Sequence, residues 1–224
     1  MSNESDRDLD FLLDEIREEA WVTRYLTSRP TLAPRVLDAM RQVPRHAFVP
    51  DELRHAAYAN HPLPIGCGQT ISQPYIVALM TDLIEPRPEH VVLEIGTGSG
   101  YQAAILSRLV KQVYSMEIVP QLAADARARL QRLGYDNIEV RAGNGRLGWP
   151  EHAPYDAILV AAAPGRIPPA LIEQLKPGGT LVIPVGIQQV GQDLLAIKKQ
   201  AGGAIEQRRV LPVAFVPLTG PHAN

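Results

Sequence analysis

A chain of 224 residues, 46% apolar and 21% charged, is long enough to bury one substantial core and reads as a soluble globular protein. Its net charge of −2 argues against an electrostatic grip on nucleic acid, which needs a basic stripe. The longest apolar runs, such as 157–163, fall far short of a bilayer span, and the single cysteine, Cys67, excludes an internal disulfide framework and fits a reducing compartment.

Taken in chain order, Leu9, Leu12, Leu13, Ile16 and Ala20 recur at helical spacing, so 5–25 is expected to be an amphipathic helix. Its acidic start is unlike the basic opening of a secretion signal. Pro30 and Pro34 interrupt the pattern, and a second helix is expected over 35–42 with Val36, Leu37 and Met40 inward. Residues 43–50, VPRHAFVP, form a proline-bounded connector. Residues 60–74 have no clean period and hold three prolines and two glycines. A long loop is expected there, and such loops in compact domains are usually functional. Ser72 is expected near the cap of the next helix, with Pro74 in its first turn and Ile76, Val77, Leu79, Met80 and Leu83 along it.

From Val91 onward strands and helices alternate, which predicts a parallel sheet. Strands are expected at 91–95, 112–116, 138–141, 155–160 and 180–183, and helices at 101–110, 120–133 and 168–175. Lys176-Pro177-Gly178-Gly179 reads as a turn. Segments 193–199 and 205–213, joined through Gly202-Gly203, read as a terminal hairpin. The six histidines show no short ligand-type pair, so no metal is expected.

Residues 93–101, LEIGTGSGY, carry the strongest chemical signal. An apolar strand ends in Glu94, and Gly96, Gly98 and Gly100 follow with Thr97 and Ser99 between them. Glycines let a backbone turn tightly and approach a ligand closely. The dinucleotide fingerprint G-x-G-x-x-G would put its last glycine where this chain has Tyr101, so a nicotinamide-dependent oxidoreductase is disfavoured. The run resembles motif I of the class I S-adenosylmethionine (SAM) methyltransferases. Glu117, ending the second strand, is placed to accept hydrogen bonds from both ribose hydroxyls. Asn144, with Gly145, follows the third strand on the same sheet edge and could reach an adenine edge, although Asn-Gly is also a common plain turn.

Residues 57–74, AYANHPLPIGCGQTISQP, with VPRHAFVP upstream and VAFVPL at 213–218, are similar to the protein-L-isoaspartate O-methyltransferases. PLPIG followed by GQTISQP is rarely seen in other methyltransferase families. The resemblance spans 36–218. It implies an α/β, Rossmann-like class I methyltransferase fold in one domain, with a mostly parallel sheet, a C-terminal antiparallel hairpin and a helical N-terminal cap. Within 1–224, the expected parts are an N-terminal helical extension (1–30), a helical cap with the substrate and cofactor loop (31–88), and a SAM-binding core with the last strands (89–224). The implied reaction moves a methyl group from SAM to the α-carboxylate of L-isoaspartyl residues in damaged proteins and peptides. S-adenosyl-L-homocysteine is the product, and no metal takes part.

By position, Ser72 matches the active-site serine, Thr70 and Ile71 line the cofactor, and 94–100 match the methionine-binding loop. Glu117 matches the ribose acid, Asn144 and Gly145 lie on the adenine side, and Ile65, Ser72 and Val213 fall to the peptide. The chain is expected to be monomeric and cytoplasmic, with neither nucleic acid nor membrane as partner. The family usually has aspartate at Asn144, so weaker SAM binding is expected; Cys67 and Tyr75 stand where histidine is common, and Cys67 is expected to line the loop. Two other readings stay open: a small-molecule SAM methyltransferase, and a non-catalytic protein that binds SAM or isoaspartyl ligands.

Overall fold

The computed structural model describes residues 4–220. Helix α1 (Glu4–Val22) buries Leu12, Leu13, Ile16 and Ala20, the apolar stripe read from the sequence. It ends before Tyr25, at Thr23, whose hydroxyl donates back to the Glu19 carbonyl at 2.8 Å, and a short α2 (Arg24–Thr27) follows. Helix α3 (Pro34–Gln42) starts on its proline.

The expected loop before the sheet is instead a small antiparallel hairpin, β1 (Leu63–Gly66) and β2 (Gln69–Ile71). Its strands are too short to show an alternating pattern. Gly66, Cys67 and Gly68 make the turn, and all three have positive φ. Cys67 is therefore an exposed turn residue and not a lining one. Helix α4 (Pro74–Leu83) has Gln73 at its N-cap, one residue later than the cap expected near Ser72. Pro74 holds the residue before it extended, and that fixes the boundary.

The alternating segment is β3 (Val91–Ile95), α5 (Tyr101–Ser107), β4 (Gln112–Glu117), α6 (Pro120–Arg132), β5 (Ile138–Ala142), β6 (Tyr155–Val160), α7 (Pro169–Glu173), β7 (Leu175–Ile187), β8 (Gly191–Lys199) and β9 (Ile205–Val213). The sheet order is β5-β4-β3-β6-β7-β8-β9. Strands β3 to β7 are parallel and β7-β8-β9 antiparallel. The expected terminal hairpin forms, and β7 with β8 makes a second one. Residues 176–179 are not a free turn but a bulge inside β7: its pairing with β6 steps from Tyr155↔Leu175 to Ala157↔Thr180. Helices α5 and α7 are shorter than expected; the Ser107 hydroxyl folds back to the Ala104 carbonyl at 2.7 Å where α5 stops.

Val92, Ala157 and Leu159 face the core under α1, α3, α4 and α5, while Leu93, Ile95, Ile158 and Val160 face Trp149 and Leu171 of α7. Both faces of the parallel sheet are thus covered. Phe11, Trp21, Val22, Tyr25 and Leu26 stand out to solvent on α1 and α2, an exposed apolar group that the sequence pattern did not announce. Among the described residues no helix is long and apolar enough to cross a membrane.

Candidate active site

The chain runs from β3 to β4 on one side and later returns to β6 on the other. The crevice beyond the carboxyl ends of β3 and β6 is therefore the topological switch point, where open α/β sheets bind ligands. The glycine loop closes over it. Gly96 N–H donates to the Met116 carbonyl at 2.8 Å, which folds the loop across the end of β4. At Gly98, φ is 51° and an added Cβ would come within 3.3 Å of Ile65 Cδ1, so both conformation and space favour glycine. Glu117 fixes the loop from below. Its Oε2 accepts from Gly98 N–H at 2.8 Å and its Oε1 from Val119 N–H at 3.0 Å. Each oxygen keeps acceptor capacity for a further donor.

Glu94 pairs in register with Ser115 across β3 and β4, and both are fully buried. Ser115 Oγ donates to Glu94 Oε2, so Thr97 Oγ1 must be the donor in its 2.6 Å bond to Ser115 Oγ. Glu94 Oε1 has no side-chain hydrogen-bond partner. Burial pushes this carboxyl up to about 8 against the Ser115 bond, the Glu117 charge adds to the rise, and the Ala103 backbone N–H opposes it. On the far side, a Cβ on Gly145 would overlap Ile95 Cγ2, so this floor tolerates only glycine. Asn144 caps the short 3-10 turn Gly145–Leu147, its Oδ1 accepting from Arg146 N–H at 3.1 Å.

Two clefts meet beside Ser72. The first is lined by Thr70, Ile71, Ser72, the 96–99 backbone, Glu117 and Gly145. The second lies between the α1 side and the Leu211–Val216 segment, with Val213 in its wall. Thr70, Ser72, Ala161 and Val216 belong to both. The small Ala161 at the end of β6 leaves the junction open. The C-terminal segment is held there by hydrogen bonds from Ala163 N–H to the Val216 carbonyl (2.8 Å) and from Leu218 N–H to the Ala163 carbonyl (2.9 Å). The Gln192 side chain accepts from Phe215 N–H at 2.6 Å and donates to the Phe215 carbonyl at 3.1 Å.

Glu94 and Gly100 stand behind the first cleft, Glu94 as buried support and Gly100 as the cap of α5. Ile65, expected at the peptide, lines neither cleft; its Cδ1 lies beside Gly98 of the glycine loop. Sequence reasoning missed the anchors of the Ser72 turn. Arg45 is fully buried, donating from Nε to the Ala57 carbonyl (2.9 Å) and from Nη2 to the Ser72 carbonyl (2.8 Å). Its guanidinium lies 4.9 Å over the Tyr101 ring, which also meets Phe48 edge-on; this accounts for the VPRHAFVP connector. Tyr75 is buried and bonds Thr23 through its hydroxyl, tying α4 to the N-terminal helices.

The first cleft suits SAM. A buried acid with one oxygen free of side-chain partners lies behind the loop, acceptor capacity remains on Glu117, and the Gly145 floor admits no side chain. Among the described residues no group of three or more metal-ligating side chains occurs. A parallel sheet with this loop at its switch point, closed by an antiparallel C-terminal pair, is the fold of class I SAM-dependent methyltransferases.

Comparison with known proteins narrows the class. The profile of the protein-L-isoaspartate(D-aspartate) O-methyltransferase family matches residues 17–223. A protein-L-isoaspartate O-methyltransferase 2 of Polaromonas sp. is 57% identical over 209 residues, covering 93% of this chain and 99% of the relative. One of Nitrosococcus oceani is 55% identical over 211 residues, covering 94% and 96%. A solved protein-L-isoaspartate O-methyltransferase superposes with a TM-score of 0.81 at 26% identity, over 95% of this chain and 66% of that one. A putative Plasmodium falciparum protein-L-isoaspartate O-methyltransferase, solved with S-adenosyl-L-homocysteine, gives a TM-score of 0.73 at 25% identity, over 92% and 97%. The chain belongs to the protein-L-isoaspartate O-methyltransferase family.

Proposed function

We propose that the chain methylates the α-carboxylate of L-isoaspartyl residues in damaged proteins and peptides, using SAM held in the first cleft. The observation that carries this reading is the junction at Ser72: a cofactor cleft and a peptide cleft share Thr70, Ser72, Ala161 and Val216. When bound, SAM supplies a sulfonium methyl group that an ionised carboxylate takes up directly.

An α-carboxyl has a pKa of about 3.5, so at neutral pH the acceptor is already ionised and needs no strong base. The protein's task is alignment and exclusion of water. Ser72 offers a hydroxyl donor at the junction, which can orient a carboxylate without removing its charge. Arg45 holds the Ser72 backbone, and Glu117 holds the glycine loop that would cradle the methionine moiety. Gly145 lines the side read as the adenine side, and Asn144, outside the cleft lining, caps the turn that follows it. After transfer, the neighbouring backbone nitrogen attacks the ester carbonyl and expels methanol. The succinimide formed then takes up water and opens partly to normal aspartate. The protein is read as a cytoplasmic monomer that acts on protein substrates.

Methyl transfer from labelled SAM to matched L-isoaspartyl and L-aspartyl peptides tests the proposal, with Ser72→Ala alongside. Base-labile label on the isoaspartyl peptide alone, reduced in the variant, is the expected result. SAM binding with no label on either peptide would refute it and leave a different acceptor or a silent binding protein.

A further inference from the structure

Glu19 of α1 lines the second cleft, and it is the one ionisable side chain among the described residues that do so. Two side-chain amides donate to it. Asn60 Nδ2 donates to Oε2 at 2.8 Å, and Gln73 Nε2 donates to Oε2 at 3.1 Å and to Oε1 at 3.3 Å. The orientation of the Asn60 amide is fixed independently, because its Oδ1 accepts from Tyr75 N–H at 3.0 Å and its nitrogen must then face Glu19. Burial raises the Glu19 carboxyl above its ordinary pKa, the Asn60 and Gln73 donors work against that rise by favouring the ionised form, and the Glu15 charge adds to it. Gln73 adjoins Ser72, so this charge stands close to the point where the two clefts meet.

We infer that Glu19 sets the charge preference of the peptide cleft, favouring cationic residues beside the isoaspartate and disfavouring acidic ones. The inference rests on the second cleft being the peptide site. The isoaspartyl carboxylate itself has the same sign as Glu19 and is kept off the α1 wall, toward the junction at Ser72. A flanking lysine gains from the field of this half-buried carboxylate, and a flanking glutamate loses. No other ionisable side chain in the cleft wall offsets it. At a separation of several ångströms and an effective dielectric between protein and water, the two effects together amount to roughly a tenfold preference.

The test compares kcat/KM for three isoaspartyl peptides identical except for Lys, Gln or Glu next to the isoaspartate. Wild-type protein, Glu19→Gln and the exposed control Glu18→Gln are assayed, with thermal unfolding of each. The expected result is a Lys > Gln > Glu order in wild type and Glu18→Gln that collapses to within about twofold in Glu19→Gln. The wild-type preference should also shrink on raising salt to about 0.5 M. An equal loss on all three peptides in Glu19→Gln, or a wild-type preference that salt does not change, would make Glu19 a structural anchor only and overturn the inference. Absence of transfer to every isoaspartyl peptide would remove the functional reading and this inference with it.

Discussion

Replacing Arg45 tests whether the Ser72 turn is held from behind. Arg45→Met keeps most of the side-chain volume and removes the donors to the Ala57 and Ser72 carbonyls, at 2.9 and 2.8 Å. A hydrogen bond from a charged donor contributes about 1.5–3 kcal/mol, and both carbonyls would lose their guanidinium partner. Relief from burying a guanidinium offsets part of this, and Nη1 has no partner even now. The net loss should be about 2–4 kcal/mol, a fall in Tm of roughly 5–15 °C for a domain of this size. Activity should fall further than stability. With its carbonyl released, Ser72 can drift on the scale of an ångström, and misplacement of that size costs up to about a hundredfold. At a temperature where the variant is folded by circular dichroism, kcat/KM on an isoaspartyl peptide should drop at least about tenfold. Arg45→Lys should recover little, because one ammonium cannot span both carbonyls in the geometry of the fork. A folded Arg45→Met with wild-type kcat/KM would refute the positioning argument, and an unchanged Tm would refute the energetic one.

Three further outcomes are expected. Burial pushes the Glu94 carboxyl up to about 8 from an ordinary value near 4.5, so between those values the unfolded chain binds fewer protons and stability should fall as pH rises. Urea unfolding at about pH 5 and pH 8 should show a loss of up to roughly 4 kcal/mol from this group in wild type, absent in Glu94→Gln; equal slopes in both would remove Glu94 as the cause. Gly145→Ala drives a methyl into Ile95, so it should cost about 1–3 kcal/mol and weaken SAM binding in calorimetry; wild-type values of both would show that the floor yields freely. Asn144→Asp gives the adenine side a charged acceptor and should tighten SAM binding, whereas unchanged affinity would take Asn144 off that contact.

The parallel core was legible because several local signals agreed. Val91–Ile95 ends in an acid and a glycine run, Pro120 opens a helix, and Gly134 closes it with positive φ. The missed features are those where tertiary contact overrides local chemistry. Glu19 is one acid among several on α1, and only the approach of Asn60 and Gln73 distinguishes it from a solvated charge. Arg45, in a proline-bounded connector, would ordinarily face water, yet two carbonyls distant in sequence draw it inside. The glycines at 178–179 read as a turn because their pattern does not reveal that β7 continues past them. Cys67 looked like a wall residue until the hairpin turned it outward.

These missed residues explain why a Rossmann-like core alone would not make this site. The glycine loop, Glu117 and Gly145 all follow from the strands of the core. Ser72 does not: it lies ahead of α4, outside the sheet, and is held by Arg45 from one side and through Gln73 and Glu19 from the other. Val216 reaches the junction because the C-terminal segment bonds to Ala163 beyond the end of β6. The first cleft therefore belongs mainly to the core, whereas the second is walled by α1, the 62–76 segment and the chain from the end of β9 to Val216. Under the proposed function, that division assigns acceptor choice to the cap, and the packing of α1 against α4 brings Glu19 to the second cleft.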